Sequence, residues 1–460
     1  MKPLFGKFDR VHLVGIGGVG MEGLARILRE LGCRVSGSDR SSSPAVEQLH
    51  RERFEVHIGH RAAQVEGVDL IVYSAAVPIK SEELVEGRRR GIPVVGRAEV
   101  LGELSRSHFT IGVAGSHGKT TTASMVASIL KQGVYEPSML IGGWMKGRVQ
   151  AELGAGEFFV VEADEFDRSF LSLYPCAALV TTIDAEHLDC YQNLEEVKEA
   201  FCQYLERLPF YGHCLLGGDD AGVQSVMGSV EREYFTYGLE AGNDFRAENI
   251  QRRSWSSCFD LFFRREYLGS IELGVPGEHN IGNALGASGL AHSLDVEFEA
   301  IEAGLRVFDG VERRFEKKGE IGDILVVDDY AHHPAEIAAT LATARDTGRR
   351  VVAVFQPHLY SRTRDFLEDF ARALQAADQV FLTDIYGSRE EPLPEIHTGL
   401  IARAMQEQGY GQVEYIPCVN EVSAHLLEAC RTGDLVVTLG AGDIGQVADE
   451  LLAALSIRAG

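Results

Sequence analysis

A short apolar run, Phe109 to Val113, passes through Ala114 into Gly115-Ser116-His117-Gly118-Lys119-Thr120-Thr121-Thr122 and then a helix-forming stretch from Ala123 to Lys131. Strand, glycine-rich turn and helix in immediate succession put the turn at the carboxyl end of a parallel sheet. Several backbone N–H groups then point at one anion. Lys119 adds a point charge for terminal phosphates, and the Thr120 hydroxyl suits Mg²⁺. The pattern predicts an α/β chain that binds a nucleoside triphosphate. One irregularity narrows the class: the usual loop has glycine five residues before the Gly-Lys pair, and here that residue is Val113, with glycines at 112 and 115 instead. Such spacing belongs to a subset of ATP users rather than to GTPase switches in general.

A second turn precedes it. Val11 to Val14 reads as a strand, followed by Gly15-Ile-Gly17-Gly18-Val-Gly20, a helical stretch to Leu31, and a strand from Cys33 to Ser36 that leads to Asp39. This is a dinucleotide-type fingerprint, in which glycines cradle a pyrophosphate and an acid about 20 residues on takes a ribose hydroxyl. The pattern fixes the pyrophosphate and not the base: NAD is the first expectation, and UDP suits the same glycines. Asp69 to Ser74 and Pro93 to Val95 read as further strands of this unit.

At 460 residues the chain exceeds one ordinary core. Three α/β domains in series are expected, with boundaries at 1–105, 106–315 and 316–460: a Rossmann-like domain, a central P-loop ATPase-like domain, and a second Rossmann-like domain. In the central segment Phe158 to Glu162 and Ala177 to His187 read as buried parallel strands. Ser254 to Leu273 alternates like a small antiparallel patch, and Pro276-Gly-Glu-His279-Asn280 enters a helix. Ile324 to Val327, Val351 to Phe355, Val380 to Thr383 and Leu435 to Leu439 are the strands of the last segment. The final one opens on Gly440-Ala-Gly442-Asp-Ile-Gly445, read as a tight strand-to-helix turn in preference to another nucleotide site.

The formal net charge of −24 argues against nucleic acid and anionic membranes as partners. Eight cysteines without a C-x-x-C pair, an N-terminus lacking a signal-type apolar core and no run able to span a bilayer point to the cytoplasm.

Glu162 ends a strand, as a metal-holding carboxylate does in many ATP enzymes. Asp164, Glu165 and Asp167 crowd behind it and must repel one another unless some face water or a cation. His187 follows Asp184 and Glu186 at another strand end, a composition suited to a magnesium site. Asn280 and Asn283 are spaced to share a helix face. Arg313 and Arg314 could clamp a phosphate or form a solvated pair; spacing does not choose. Asp328-Asp329-Tyr330-Ala-His332-His333-Pro334 and Gln356-Pro-His358-Leu359-Tyr-Ser-Arg362-Thr-Arg364 are too rich in functional side chains for packing alone and read as walls of a substrate site.

These stretches, together with Glu186-His-Leu-Asp189 and Arg313-Arg-Phe315, resemble the Mur ligases of bacterial cell-wall synthesis over essentially the whole chain. The resemblance implies an ADP-forming, amide-bond-forming ligase, and within the family the member that joins L-alanine to the lactyl carboxylate of UDP-N-acetylmuramate through an acyl phosphate. ATP is then co-substrate with Mg²⁺, and Lys119, Glu162 and His187 carry the catalysis. Thr120, Glu162 and His187 would serve the metal, and Asn280, Asn283, Arg314 and Asp329 would hold ATP. Tyr330, His332, His358 and Arg362 would shape the alanine site. The first domain would take the UDP moiety on Gly15, Gly17, Gly18, Gly20, Asp39 and Ser74, which replaces NAD while keeping the geometry.

Three departures stand out, the first being Ser116 in the phosphate turn, where Thr is frequent. Leu359 occupies a position where such ligases often have Arg, and Lys198 is out of register with the carbamylated lysine of sister ligases. The nearest alternative is the recycling ligase that attaches L-Ala-γ-D-Glu-diaminopimelate to the same sugar nucleotide; Ser361-Arg-Thr-Arg364 favours the single-alanine enzyme. A nicotinamide oxidoreductase would explain Gly15 to Asp39 and nothing afterwards.

Overall fold

The computed structural model describes residues 8–143, 151–186, 190–388 and 390–459. Its described residues form three sheets. In the first, strands β1 (Arg10–Val14), β2 (Arg34–Asp39), β3 (Glu55–Ile58), β4 (Leu70–Tyr73) and β5 (Val94–Gly96) are ordered β3-β2-β1-β4-β5 and all parallel. Helices α1 (Val19–Glu30), α2 (Pro44–Arg51), α3 (Glu82–Arg89) and α4 (Arg97–Arg106) complete the crossovers. Parallel strands covered on both faces need apolar residues on both. Val11 and Leu13 accordingly feed one cluster, and Val14 and Ile71 another with Leu84 of α3.

The central sheet comprises β6 (Phe109–Ala114), β7 (Ser138–Leu140), β8 (Ala151–Glu152), β9 (Phe158–Glu162), β10 (Ala177–Val180), β11 (His213–Gly217), β12 (Phe235–Gly238), β13 (Phe245–Arg252), β14 (Ser257–Phe263) and β15 (Glu266–Leu273). Its order is β15-β14-β13-β12-β11-β10-β6-β9-β7-β8. The pairs β10–β6 and β6–β9 are parallel, so β6 is central, with its carboxyl end between those of β9 and β10. Helix α5 (Lys119–Gln132) follows it.

The last sheet, β16 (Glu316–Ile321), β17 (Ile324–Asp329), β18 (Arg350–Phe355), β19 (Gln379–Leu382), β20 (Val413–Tyr415) and β21 (Asp434–Leu439), has order β16-β17-β21-β18-β19-β20. Only the edge hairpin β16–β17 is antiparallel; the other pairs are parallel. Its two faces carry separate cores, Val327 and Val437 on one side, Val326 and Val436 on the other.

The chain separates into two compact units. One runs up to Asn249 and includes Phe259–Glu272 and Gly282–Phe308; the other holds Ile250–Cys258, Leu273–Ile281 and everything from Asp309. Among the described residues no helix is long and apolar enough to cross a membrane.

Three expected elements differ from those observed, the first being the strand read from Cys33 to Ser36, which runs on to Asp39. The strand read from Ala177 to His187 stops at Val180. Beyond it the Thr181 N–H still reaches the Ala114 carbonyl at the end of β6 (3.0 Å), but the Thr181 hydroxyl donates to the His117 carbonyl and Thr182 Oγ1 accepts the His117 N–H at 2.9 Å, so the chain is drawn onto the phosphate turn. The helix expected from Ala123 begins at Lys119, because left-handed Gly118 (φ +82°) lets Lys-Thr-Thr form its first turn.

Candidate active site

The phosphate turn is shaped by close approach. Gly115 has φ +134°, and a Cβ there would lie 2.0 Å from Thr181 Oγ1; one on Gly118 would lie 2.7 Å from Asn283 Oδ1. Val113, at the usual glycine position, is still strand and pairs in register with Glu162. The turn therefore begins later than the usual motif. Gly112 has a packing role instead, since a Cβ would meet the Tyr204 hydroxyl oxygen at 2.0 Å.

Lys119 Nζ donates to the Gly115 carbonyl (2.5 Å) and to both oxygens of buried Glu165 (2.8 and 2.9 Å). Burial alone would favour the neutral amine; Glu165, then Asp164 and Glu162, outweigh it and raise its pKa. The Thr120 hydroxyl donates to Glu162 Oε1 (2.8 Å), and the Gly142 N–H donates to Oε2 (2.7 Å). Burial pushes the Glu162 carboxyl up, and Lys119, Gly142 and Thr120 offset this only in part. The acid cluster is thereby divided: Glu162 faces Thr120, Glu165 pairs with Lys119, Asp164 accepts the Phe166 N–H (3.1 Å), and Asp167 is exposed. A hydroxyl and a carboxylate short of compensating charge are hard oxygen donors that fit Mg²⁺. His187 lies outside the described residues.

At the first glycine turn the Ser38 carbonyl accepts N–H groups from Gly15 (2.8 Å) and Ile16 (3.0 Å), and Asp39 Oδ2 accepts that of Gly17 (2.9 Å). Asp39 thus braces the turn with one oxygen. Ser74 is adjacent, its Cβ 3.1 Å from where a Gly15 Cβ would stand. The Arg97 guanidinium packs on Gly20, where a Cβ would displace it (2.4 Å to Nη1).

In the other unit Arg313 and Arg314 separate in role. Arg313 donates to Asp328 Oδ2 (2.9 Å) and to the carbonyls of Gly440 (2.6 Å) and Gly442 (3.1 Å), tying the Gly440–Gly445 turn to β17. Arg314 lies 3.6 Å from Glu336 and over the Tyr330 ring. Asp329 is buried and accepts the Phe315 and Ala331 N–H groups (2.7 and 2.8 Å). Burial lifts its pKa to about 6, against the opposing pull of Arg314.

Tyr330, His332 and His358 form a chain of ring contacts, 5.4 and 5.7 Å between centroids, continued by Tyr386 stacked 6.0 Å from His358. Arg362 sits in the short helix Tyr360–Asp365 that follows. Leu359, buried at φ +70°, starts that helix, so an apolar anchor replaces the frequent arginine. A cavity of about 370 Å³ adjoins the ring chain, lined by Gln356, Thr383, Asp384, Tyr386 and Asp443 among others.

Three family models match in chain order: the Mur ligase family catalytic domain over residues 10–109, the Mur ligase middle domain over 113–291, and the Mur ligase glutamate ligase domain over 313–442. The chain belongs to the Mur ligase family. This Mur ligase is 45% identical to a UDP-N-acetylmuramate–L-alanine ligase of Geotalea daltonii over 98% of each chain. Its fold matches the UDP-N-acetylmuramate–alanine ligase of Thermotoga maritima (TM-score 0.84, 26% identity, 98% of this chain and 99% of that one). A murein peptide ligase of Psychrobacter arcticus is similar at TM-score 0.71 and 25% identity, covering 97% of this chain and 98% of that one.

Other residues singled out in this Mur ligase fall as follows. Asn283 stands against Gly118, whereas the Asn280 amide donates to the Pro276 carbonyl (2.6 Å). Lys198 pairs with Glu195 (2.8 Å) on the surface of its helix, and Phe201 is buried against Phe170. Sequence reasoning did not find Arg97 or Tyr386, and it saw Glu165 only as one of a crowd. The signal for Glu165 was the need for a cation beside that crowd.

Proposed function

We infer that this chain is an ATP-dependent ligase that joins L-alanine to the lactyl carboxylate of UDP-N-acetylmuramate, releasing ADP and phosphate in peptidoglycan synthesis. The observation that carries this reading is the near-full-length 45% identity to ligases of that name, in a chain whose Lys119, Thr120 and Glu162 are grouped as phosphate chemistry needs.

A carboxylate is a poor electrophile. One of its oxygens attacks the γ-phosphorus and ADP leaves; the resulting acyl phosphate offers a good leaving group. The neutral amine of alanine adds to the carbonyl carbon, its nitrogen gives up one further proton, and the tetrahedral intermediate expels phosphate with that oxygen to leave the amide. The N–H groups of the Gly115–Gly118 turn orient the triphosphate, and Lys119 meets charge developing on its terminal oxygens. Thr120 and Glu162, with His187 by family resemblance, would hold Mg²⁺, which when bound offsets charge on the phosphoryl oxygens. Asn283, Asn280, Arg314 and Asp329 are assigned to ATP. The imidazoles of His332 and His358 with Tyr330 enclose alanine, and Arg362 supplies a cation for its carboxylate. Gly15, Gly17, Gly18, Gly20, Asp39 and Ser74 hold the UDP group, with Arg97 beside its diphosphate.

The domain limits of 1–105, 106–315 and 316–460 are supported by the three family matches. A cytoplasmic location is supported by the nucleotide substrates.

Isotope transfer tests the acyl phosphate. With ¹⁸O in the lactyl carboxylate, one label must appear in released phosphate; unlabelled phosphate would overturn the mechanism.

A further inference from the structure

On one face of the first sheet a polar set sits among apolar neighbours. His12 of β1 and Glu83 of α3 are fully buried, as is Ser38 of β2. His12 Nε2 lies 2.9 Å from Glu83 Oε1. The Ser38 hydroxyl donates to Glu83 Oε2 (2.8 Å), and His60 Nδ1 lies 2.8 Å from that oxygen and 3.0 Å from Ser38 Oγ. Burial opposes the Glu83 charge, but the partners His12, Ser38 and His60 prevail and lower its pKa. With Glu83 ionised, its partners all donate. His12 Nδ1 is then left to accept from Ser36, 2.9 Å away.

Fold stability is a poor reason for this set. Val14, Val65, Ile71 and Leu84 already pack that face, and buried charged groups are often replaceable by apolar ones without loss. Its position is more telling. The carbonyl of the same Ser38 accepts the Gly15 and Ile16 N–H groups, and the next residue, Asp39, accepts that of Gly17. The hydroxyl of Ser38 belongs to the buried set and its carbonyl to the turn.

We propose that Glu83, through Ser38 and backed by His12 and His60, is a positioning residue that fixes the first glycine-rich turn for the diphosphate of the sugar nucleotide. This rests on the reading of that turn as the UDP-sugar site. Glu83→Gln replaces one accepting oxygen with a donor and so leaves either His12 or the pair Ser38 and His60 without its acceptor. Ser38→Ala removes the link while keeping the carbonyl, and serves if Glu83→Gln does not fold.

Calorimetry with UDP and steady-state kinetics decide the matter. The variants should raise the Kd for UDP and the KM for UDP-N-acetylmuramate about tenfold, while kcat and the KM for ATP stay within twofold. A merely structural role would lower Tm and leave the Kd unchanged, which would overturn the proposal. Gly17→Ala separates the two readings, because a Cβ there would stand 2.7 Å from Val46 and 2.9 Å from Asp39. If Gly17→Ala still binds UDP as the wild type does, the UDP-site reading fails. If it loses UDP while both other variants keep it, only the positioning role fails.

Discussion

Lys119 shows how one side chain can be committed before its ligand arrives. Its ammonium is shared among Glu165 and a turn carbonyl, so in the proposed reading a triphosphate would have to redistribute those bonds. Lys119→Ala should lower kcat by at least about 100-fold, the scale for losing a donor aimed at developing charge. UDP affinity, measured by calorimetry, should be unchanged; a parallel loss of UDP binding would contradict the division of labour. Asp329 makes a pH prediction. Its carboxyl titrates near the ordinary value of 3.8 when unfolded and at about 6 when folded. Between those values the folded state holds more protons, so stability falls as pH rises through the window and is flat above it. In urea unfolding, the wild type relative to Asp329→Asn should lose about 2 kcal/mol from pH 4 to 6; a flat difference would contradict the raised pKa. Lys119, Thr120 and Glu162 were legible in the sequence because turn and strand end fix their places. The Lys119–Glu165 pair and the His12–Glu83 contact were not, since they join positions 46 and 71 residues apart.

At the level of elements, strand interiors were easiest to read. The apolar part of the strand from Phe158, closing at Glu162, and β1, β4, β18 and β21 were read within one or two residues, because buried parallel strands are continuous apolar runs. Short strands such as β7, β8 and β20 carry too few residues to show a pattern. The start of α5 was misread because a left-handed glycine, and not a capping side chain, begins it. That glycine is testable. Gly118→Ala puts an L-residue at φ +82° with its Cβ 2.7 Å from Asn283 Oδ1, and should cost about 1–2 kcal/mol for the conformation alone. Urea unfolding should register that loss, and calorimetry a marked fall in ADP affinity. Wild-type values in both would mean that neither the φ nor the contact constrains the turn.

For the molecule as a whole, a net charge of −24 means that phosphate ligands are captured by local devices against an adverse field. Self-repulsion also opposes folding, so Tm should rise by a few degrees as monovalent salt increases from about 0.01 to 0.2 M and the Debye length shrinks; a fall in Tm would indicate that attractive ion pairs dominate. Composition and order of strands made three α/β domains legible, whereas the amino acid site proposed around His332, His358 and Arg362 rests on a few side chains. The central claim is best tested by ADP release with UDP-N-acetylmuramate, comparing L-alanine with the L-Ala-γ-D-Glu-diaminopimelate tripeptide. ADP should form with alanine and the sugar nucleotide together. Turnover with the tripeptide alone, or without any amino acid, would contradict the account.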